Sequence, residues 1–218
     1  MSTLLGIYGA SGFGREVMPL LAAMTPTDAT LVFIDDGSSG AMNGRPICSF
    51  EDFCAVEGEK KVCIAIADSN VRQKLAERCE NAQLGVLDVH SANISIGDEV
   101  SIGSGSIICG FSTLTSNIKV GRYFHSNIYS YVAHDCVIGD FVTFAPSVKC
   151  NGNVHIDDYA YIGTGAILKQ GTAEKPLKIG RGAIVGMGAV VTKNVAPGAI
   201  VVGNPATVMQ PRQDLISA

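Results

Sequence analysis

The chain of 218 residues contains no tryptophan, and aromatic residues of all kinds make up 6% of it. Charged residues are scarce at 17%, with 16 lysines and arginines against 20 acids. A net charge of −4 gives no general electrostatic reason to bind nucleic acid or an anionic membrane, so an anionic ligand must be held by local cations and backbone amides. With hydrophobic residues at 47%, low charge also argues against disorder. No apolar run is long enough to cross a bilayer, and no membrane insertion is expected. The apolar stretch at residues 4–9 is too short, and lacks the basic flanks, for a secretory signal. The seven cysteines are an odd number without a CxxC pair, and read as small buried hydrophobes in a reducing, cytoplasmic setting.

What the chain has in excess is glycine, 25 residues, which points to a turn-rich fold. Its first part, residues 1–88, reads as α/β. Residues 4–9 read as a short buried strand closed by a glycine-rich turn. Helical spacing of Val17, Leu20 and Leu21 predicts a helix over 16–24, with Pro19 as a conflicting signal. Strands are expected at 30–34, 61–66 and 83–89, and a helix over 70–80 behind a cap at Asp68 or Ser69. Strand–helix alternation implies a small parallel sheet.

Residues 89–218 obey a different rule. Stepping by six from Ile96 gives Ile102, Ile108, Leu114, Val120, Ser126, Val132, Ile138, Phe144, Cys150, Ile156, Ile162 and Leu168; of these positions only Ser126 is polar. The frame returns at Ile179, Val185 and Val191, after an interruption at 169–178. Small residues often follow the anchor, and a second inward candidate stands four residues on, as at Val142, Val148 and Ala160. A period of six fits neither an amphipathic helix nor an alternating strand. It fits a parallel β-helix of three-sided coils, paired at about 4.8 Å. The solenoid is expected to end near Ala196-Pro197-Gly198, with a frayed tail over 210–218.

The turn Gly9-Ala10-Ser11-Gly12-Phe13-Gly14-Arg15 follows a strand and opens a helix, the setting in which amides hold phosphate. Asp35 and Asp36 end the next strand, where a ribose or base would lie, and Asp68, Ser69, Asn70 and Arg72 open a helix at the same sheet edge. A mononucleotide site is one reading; a tight turn, exposed acids and ordinary helix capping are the other. His134 stands near a coil corner beside Asp135, an arrangement suited to a general base and equally to a surface histidine with a chance acidic neighbour. His90 reads as structural or exposed. His125, His134 and His155 are not separated by multiples of the eighteen-residue coil, so they do not stack as a zinc site would need, and no metal is expected.

Taken together, the glycine turn, the segment from Asn127 to Asp140 (NIYSYVAHDCVIGD), Lys149-Cys150-Asn151-Gly152-Asn153-Val154 and Val202-Gly203-Asn204-Pro205-Ala206 resemble the bacterial sugar acyltransferases of the NeuD and PglD type. The resemblance covers nearly the whole chain. It implies an α/β Rossmann-like domain joined to a left-handed parallel β-helix of hexapeptide repeats. It also implies a homotrimer with acetyl-CoA between neighbouring solenoids, and a nucleotide-linked amino sugar on the N-terminal domain. On this basis His134 is the general base, Asp135 its modulator, and Asn127 lies near the acceptor sugar. Gly152 offers an amide to the thioester oxygen. Gly163, Thr164 and Gly188 are groove candidates; because CoA is anionic, Lys169 and Lys193 are candidate contacts to its phosphates and equally read as solvated corners. The expected reaction is N-acetylation of a UDP- or dTDP-linked 4-amino-4,6-dideoxy sugar for glycan or lipopolysaccharide assembly. Alternatives are O-acetylation of the sialic-acid type, a non-catalytic trimeric nucleotide-binding scaffold, and a metal-dependent hydratase. The chain departs from the family pattern at Phe13 and Thr143, where relatives can carry histidine.

Overall fold

Leu4–Tyr8 (β1) is buried along its whole length, as a central parallel strand must be. It pairs in parallel with Thr30–Ile34 (β2) and Lys60–Ile64 (β5). Gly40–Met42 (β3), Arg45–Cys48 (β4) and Gly85–Val86 (β6) complete a sheet in the order β3-β4-β2-β1-β5-β6. Helices Gly12–Met24 (α1), Phe50–Ala55 (α2) and Ser69–Asn81 (α3) accompany it. The computed structural model describes residues 3–25 and 27–209, so the tail expected over 210–218 lies outside the described residues.

Three details differ from the sequence reading. First, α1 begins at Gly12, ahead of residue 16, and runs through Pro19, which forfeits one backbone N–H bond. Buried Val17, Met18 and Leu21 hold the helix against β1 and offset that loss. Second, the strand expected at 83–89 is two. Gly85–Val86 pairs with β5, while Val89–His90 opens the solenoid, and between them the Asp88 carboxylate accepts the Ser106 N–H at 2.9 Å. Third, the β3–β4 hairpin and α2 have no counterpart in the sequence reading.

The solenoid is a left-handed β-helix whose strands, two or three residues each, stack on three faces. Face one runs from Val89–His90 to Ile200–Val202, face two from Ser95–Ile96 to Val190–Val191, and face three from Val100–Ile102 to Leu177–Ile179. Register advances by one coil, so Ile107, His125, Thr143 and Tyr161 form one outward column. The hexad anchors from Ile108 onward are buried in a continuous core, together with Val142, Val148, Val154, Ala160, Ala166, Ala183 and Ala189. Ile96 is the exception, 43% exposed, in the first coil of face two. Ser126, the polar anchor, is buried and donates to Ser112 Oγ at 3.3 Å. Thr207–Val208 folds back antiparallel on Ile200–Val202 and closes the last coil.

The N-terminal domain covers the first coils of face one. Val89 and Ile107 join the core on one side of its sheet, and Tyr123 and Phe141 the core on the other. At the joint lies Arg72, fully buried. Its Nη1 donates to the Ile66 carbonyl at 2.6 Å and to His125 Nδ1 at 3.2 Å. Its Nη2 donates to the Phe141 carbonyl at 2.6 Å and to Thr143 Oγ1 at 3.0 Å. One side chain of α3 thus gathers acceptors from both domains. Burial pulls its pKa down to about 9, so it stays cationic at neutral pH. Because a guanidinium only donates, His125 Nδ1 must accept, and the imidazole is the neutral Nε2–H tautomer. Burial first, and then the nearby guanidinium, hold the His125 pKa well below the imidazole range.

Arg72→Met is expected to lower stability by about 2–5 kcal/mol, since it strands several buried acceptors, as read by urea unfolding; a loss below 1 kcal/mol would contradict this account of the joint. A second expectation concerns acid. The folded chain keeps His125 neutral, so only the unfolded chain takes up this proton. Stability is then full above the unfolded pKa of about 6.5 and falls below it, by up to about 1.4 kcal/mol per pH unit, until the folded pKa is reached. His125→Gln removes this slope; parallel losses in both proteins between pH 7 and 5.5 would refute it.

Candidate active site

His134 sits on the edge between faces two and three. The next residue, Asp135, adopts φ 59°, a conformation aspartate tolerates better than most residues. That corner turns the carboxylate back onto the ring, and His134 Nδ1–H donates to Asp135 Oδ2 at 2.7 Å. The tautomer so fixed leaves the Nε2 lone pair free. Both side chains are about half exposed, so the pair opens to solvent. One coil along the same edge is Gly152. An ideal Cβ built there would lie 2.6 Å from both Cε1 and Nε2 of His134, so the imidazole rests directly over the glycine. The Asn153 N–H donates to the His134 carbonyl at 3.0 Å, and Gly171 N–H to the Gly152 carbonyl at 3.0 Å, which ties the three coils together. Behind the edge, Tyr131 OH donates to Asn151 Oδ1 at 2.8 Å.

The opposite edge, between faces one and two, borders a cavity of about 180 Å³ at the domain joint. Phe13 and Glu16 line it from α1, His125, Asn127, Thr143, Tyr161 and Thr164 from the solenoid. Phe13 lies 5.2 Å from the His125 ring, and Asn127 Nδ2 reaches Glu16 Oε2 at 3.4 Å. The column rule explains this assembly: His125, Thr143 and Tyr161 are one column, so the coil register alone groups them. His125, Glu16 and Tyr161 were not singled out for this cavity from sequence; the eighteen-residue register was the signal that could have found the two solenoid members.

The glycine turn approaches the same cavity through Phe13. Gly14 is pressed so closely on the Gly9 carbonyl that a Cβ would lie 1.9 Å from its oxygen. Ser11 takes the N-cap position of α1 without a side-chain hydrogen bond, and no acid stands in the first turn, so the leading amides remain available to an anion. At α3 the reverse holds: Asp68 Oδ1 accepts from the Asn70 and Val71 N–H groups, which closes that terminus with the chain's own carboxylate. Asp68, Ser69 and Asn70 line a separate cavity of about 560 Å³ with Tyr159, Tyr161 and Arg181.

The expected acids and Arg72 divide. Asp35 Oδ2 accepts the Ala10 N–H at 3.2 Å and Oδ1 the Gly37 N–H at 3.0 Å, so it braces the glycine turn. Asp36 is held by three internal donors: the Phe50 N–H at 2.9 Å, the Tyr8 hydroxyl at 2.9 Å and Arg78. The Phe50 amide first, then the Arg78 and Tyr8 hydrogen bonds, lower its pKa against the effect of burial. Arg72 is corrected outright. It is expected from sequence at the ligand, but its guanidinium is sealed inside the joint and reaches no open surface. Among the groove candidates, Gly163 is crowded by the next coil, where a Cβ would lie 2.6 Å from Met187 N. Thr164 lies in the junction cavity, and its carbonyl accepts the Gly188 N–H at 2.8 Å. Lys193 occupies the His134 edge, three coils away by the register Val132, Cys150, Leu168, Val191. Among the described residues no group of three His, Cys, Asp or Glu side chains is placed to hold a metal ion, and no helix is long and apolar enough to cross a membrane.

Residues 5–79 match the family model of the PglD N-terminal domain. Over 95% of this chain and 96% of the relative, the sequence is 47% identical to a GDP-perosamine N-acetyltransferase of Escherichia coli O157:H7. The solved structure of WeeI from Acinetobacter baumannii AYE is 59% identical and superposes with a TM-score of 0.94 over 95% of this chain and 100% of that one. The acetyltransferase domain of PglB from Neisseria gonorrhoeae FA1090, solved in complex with acetyl coenzyme A, is 25% identical, with a TM-score of 0.86 over 96% and 100% of the two chains. A histidine–aspartate pair on one solenoid edge, a glycine-turn domain seated on the other, and full-length similarity of this order lead to one assignment: the chain belongs to the NeuD/PglD-type family of acetyl-CoA-dependent sugar N-acetyltransferases.

Proposed function

We propose that the protein transfers acetyl from acetyl-CoA to the amine of a UDP- or dTDP-linked 4-amino-4,6-dideoxy sugar, with His134 as general base. The observation that carries this reading is the His134–Asp135 pair seated over Gly152. The amine nitrogen attacks the thioester carbonyl, and a C–N bond forms as the carbonyl oxygen takes the negative charge. The Gly152 N–H is the proposed donor to that oxygen. His134 Nε2 takes the proton lost by the amine, Asp135 stabilises the imidazolium, and the proton passes to the departing CoA sulfur as the C–S bond breaks. Holding donor and acceptor together supplies much of the rate.

The glycine turn, with the open N-terminus of α1, is proposed to hold the diphosphate of the acceptor, and the junction cavity its sugar, near Phe13, Asn127 and Thr143. The sugar cavity and the imidazole stand on opposite edges of face two. A homotrimer, closed by a repeated head-to-tail contact, is proposed to bring the imidazole of one subunit to the cavity of the next. Exposed Phe111, Ile128 and Tyr129 on the cavity-side edge support burial there. The seven free cysteines support a reducing, cytoplasmic location.

The reading is tested by incubating the protein with acetyl-CoA and a panel of UDP-, dTDP- and GDP-linked amino sugars, with free sugars alongside, followed by mass spectrometry. The GDP arm is included because the E. coli relative is named for GDP-perosamine. An amide product on a nucleotide-linked sugar is expected. Ester products would favour O-acetylation, and no thiol release with any acceptor would favour a binding scaffold. In the same assay His134→Asn should lose about 10²–10⁴ in kcat. Gly152→Ala, which drives a methyl into the imidazole, should lower kcat by at least about tenfold with the acceptor KM within about threefold; unchanged kcat would sever the link between this glycine and the base.

A further inference from the structure

Two thiols lie on the inner side of the corner that carries His134. Cys136 and Cys150 are the only cysteines of the solenoid core, and both are fully buried. Register stacks Cys150 on Val132, and one residue ahead of the pair Val137 and His155 it sets Cys136 beneath Val154. The two sulfurs therefore meet diagonally between successive coils, 3.9 Å apart. Cys136 stands two residues beyond His134 and Cys150 two residues before Gly152. The pair thus spans the same two coils that seat the imidazole over the glycine. The Cys136 thiol also donates to the Asn151 carbonyl at 3.2 Å, which holds it at this corner. Packing alone does not call for thiols here. The column of Cys150 is otherwise filled by Leu114, Val132, Leu168 and Val191, and that of Cys136 by Ile118, Val154 and Leu177. A hydrogen bond from the Cys150 thiol first, and then the Val154 backbone, lower the Cys136 pKa against the effect of burial. The same contact, with burial, raises that of Cys150. Cys136 is the better nucleophile of the two, and Cys150 stands where a resolving thiol is needed.

We propose that Cys136 and Cys150 are an oxidisable pair, closed by hydrogen peroxide to an intrachain disulfide that takes His134 off its seat over Gly152. The Cys136 thiolate attacks one peroxide oxygen and the O–O bond breaks, which leaves a sulfenic acid on Cys136 and one water. The Cys150 sulfur then attacks the Cys136 sulfur. The S–S bond forms, and hydroxide departs and takes the Cys150 proton as a second water. The two thiols lose two electrons and the peroxide gains them; a dithiol reductant reverses the change. Peroxide is little larger than water, and the residues above the pair, His134 and Asp135, are half exposed, so local opening of this corner admits it. Bonded sulfurs stand about 2.05 Å apart, so the pair must close by about 1.9 Å from its present 3.9 Å. The strands on either side are held by the coils above and below, which leaves the corner to absorb the shift. There the imidazole has no slack, because a Cβ at Gly152 would already lie 2.6 Å from it. For its effect on rate this inference rests on the acetyl-transfer reading above; the disulfide itself does not.

Titration of the full chain with hydrogen peroxide tests the pair. After the free thiols are alkylated, tryptic digestion without reductant should release residues 123–149 and 150–169 as one joined species, since cleavage after Lys149 separates Cys136 from Cys150. Acetyl transfer in the same sample should fall at least about tenfold, as a base displaced by about 1 Å requires, and return with dithiothreitol. Cys136→Ala and Cys150→Ala should each keep transfer within about threefold before peroxide and lose less than about twofold after it. The movement of His134 is read without turnover from the NMR signals of its ring, which should shift on oxidation of the native chain and stay in place in either variant. No joined peptide at a dose that modifies the half-buried Cys48 and Cys54 would overturn the pair. So would an unmoved His134 ring, or a loss of transfer that both alanine variants share. A joined peptide and a displaced ring without acetyl transfer to any amino sugar would instead sink the proposed reaction and leave the pair standing.

Discussion

Eighteen residues per coil, held in parallel register, is the constraint on which the rest of this molecule depends. Each strand is only two or three residues and could not persist alone; its amides and carbonyls are satisfied by the coils above and below. Keeping the register requires a sharp corner at fixed intervals, and the corners are made by residues at positive φ. Glycine would be the low-cost choice. This chain uses Gly105 and Gly182 at two corners of one edge but places Tyr123, Phe141 and Tyr159 at the corners between them, at φ 55°, 58° and 62°. A bulky L-residue in that region costs about 1 kcal/mol or more. The same register stacks the rings at centroid distances of 5.0 and 5.5 Å, nearly parallel, and stacking of about that worth offsets the strain. Two of these rings are also the surface on which the N-terminal sheet rests. The device that turns the coil therefore provides part of the domain joint.

The joint has a cost of another kind. Arg72 is a fully buried cation that no carboxylate neutralises; carbonyls, a hydroxyl and an imidazole nitrogen accept its hydrogen bonds. A well-packed apolar joint of the same volume would cost less in desolvation. What the guanidinium adds is direction. Its planar fork fits only where the ends of β5 and α3 face the coil of Phe141 and Thr143 in one orientation. That orientation sets how Phe13 and Glu16 meet Asn127 and Tyr161, and hence the shape of the junction cavity.

Much of this was legible from residues alone. The hexad anchors announced the solenoid because a core repeating every six residues leaves an unbroken apolar trace, and the interruption at 169–178 showed where a loop must leave it. Short strands with mixed burial are harder. Residues 83–89 read as one strand, whereas Asp88 divides them between two sheets, joined to the next coil through Ser106. The hairpin β3–β4 and α2 escaped because their residues are half-exposed and carry no clean period. Arg72 was misassigned for a general reason: an arginine at the start of a helix near a glycine turn reads as a phosphate ligand, and nothing local reveals that a second domain will cover it. Asp36 is similar. Its position at a strand end suggests a ribose contact, yet Phe50, Tyr8 and Arg78, distant in sequence, occupy its lone pairs. The His134–Asp135 contact was legible because it is local, and its seat over Gly152 follows from the coil length.

The coil register also explains why a single chain does not hold the whole proposed reaction. A residue's edge is fixed by its place within the hexad, and its height by the coil number. Asn127 and His134 differ by seven residues, which places them at similar heights on the two edges that bound face two. No side-chain motion moves a residue from one edge to the other, because strand Tyr131–Val132 lies between them and is bonded above and below. In the proposed reaction an imidazole on one edge would meet the acceptor in the cavity on the other across a boundary between molecules. A threefold ring whose axis faces that common side satisfies this without altering any chain, since it sets the second edge of each copy beside the first edge of its neighbour. In the proposed trimer the number of subunits would be tied to the chemistry through the prism's geometry, and a monomer would lack one half of the proposed site.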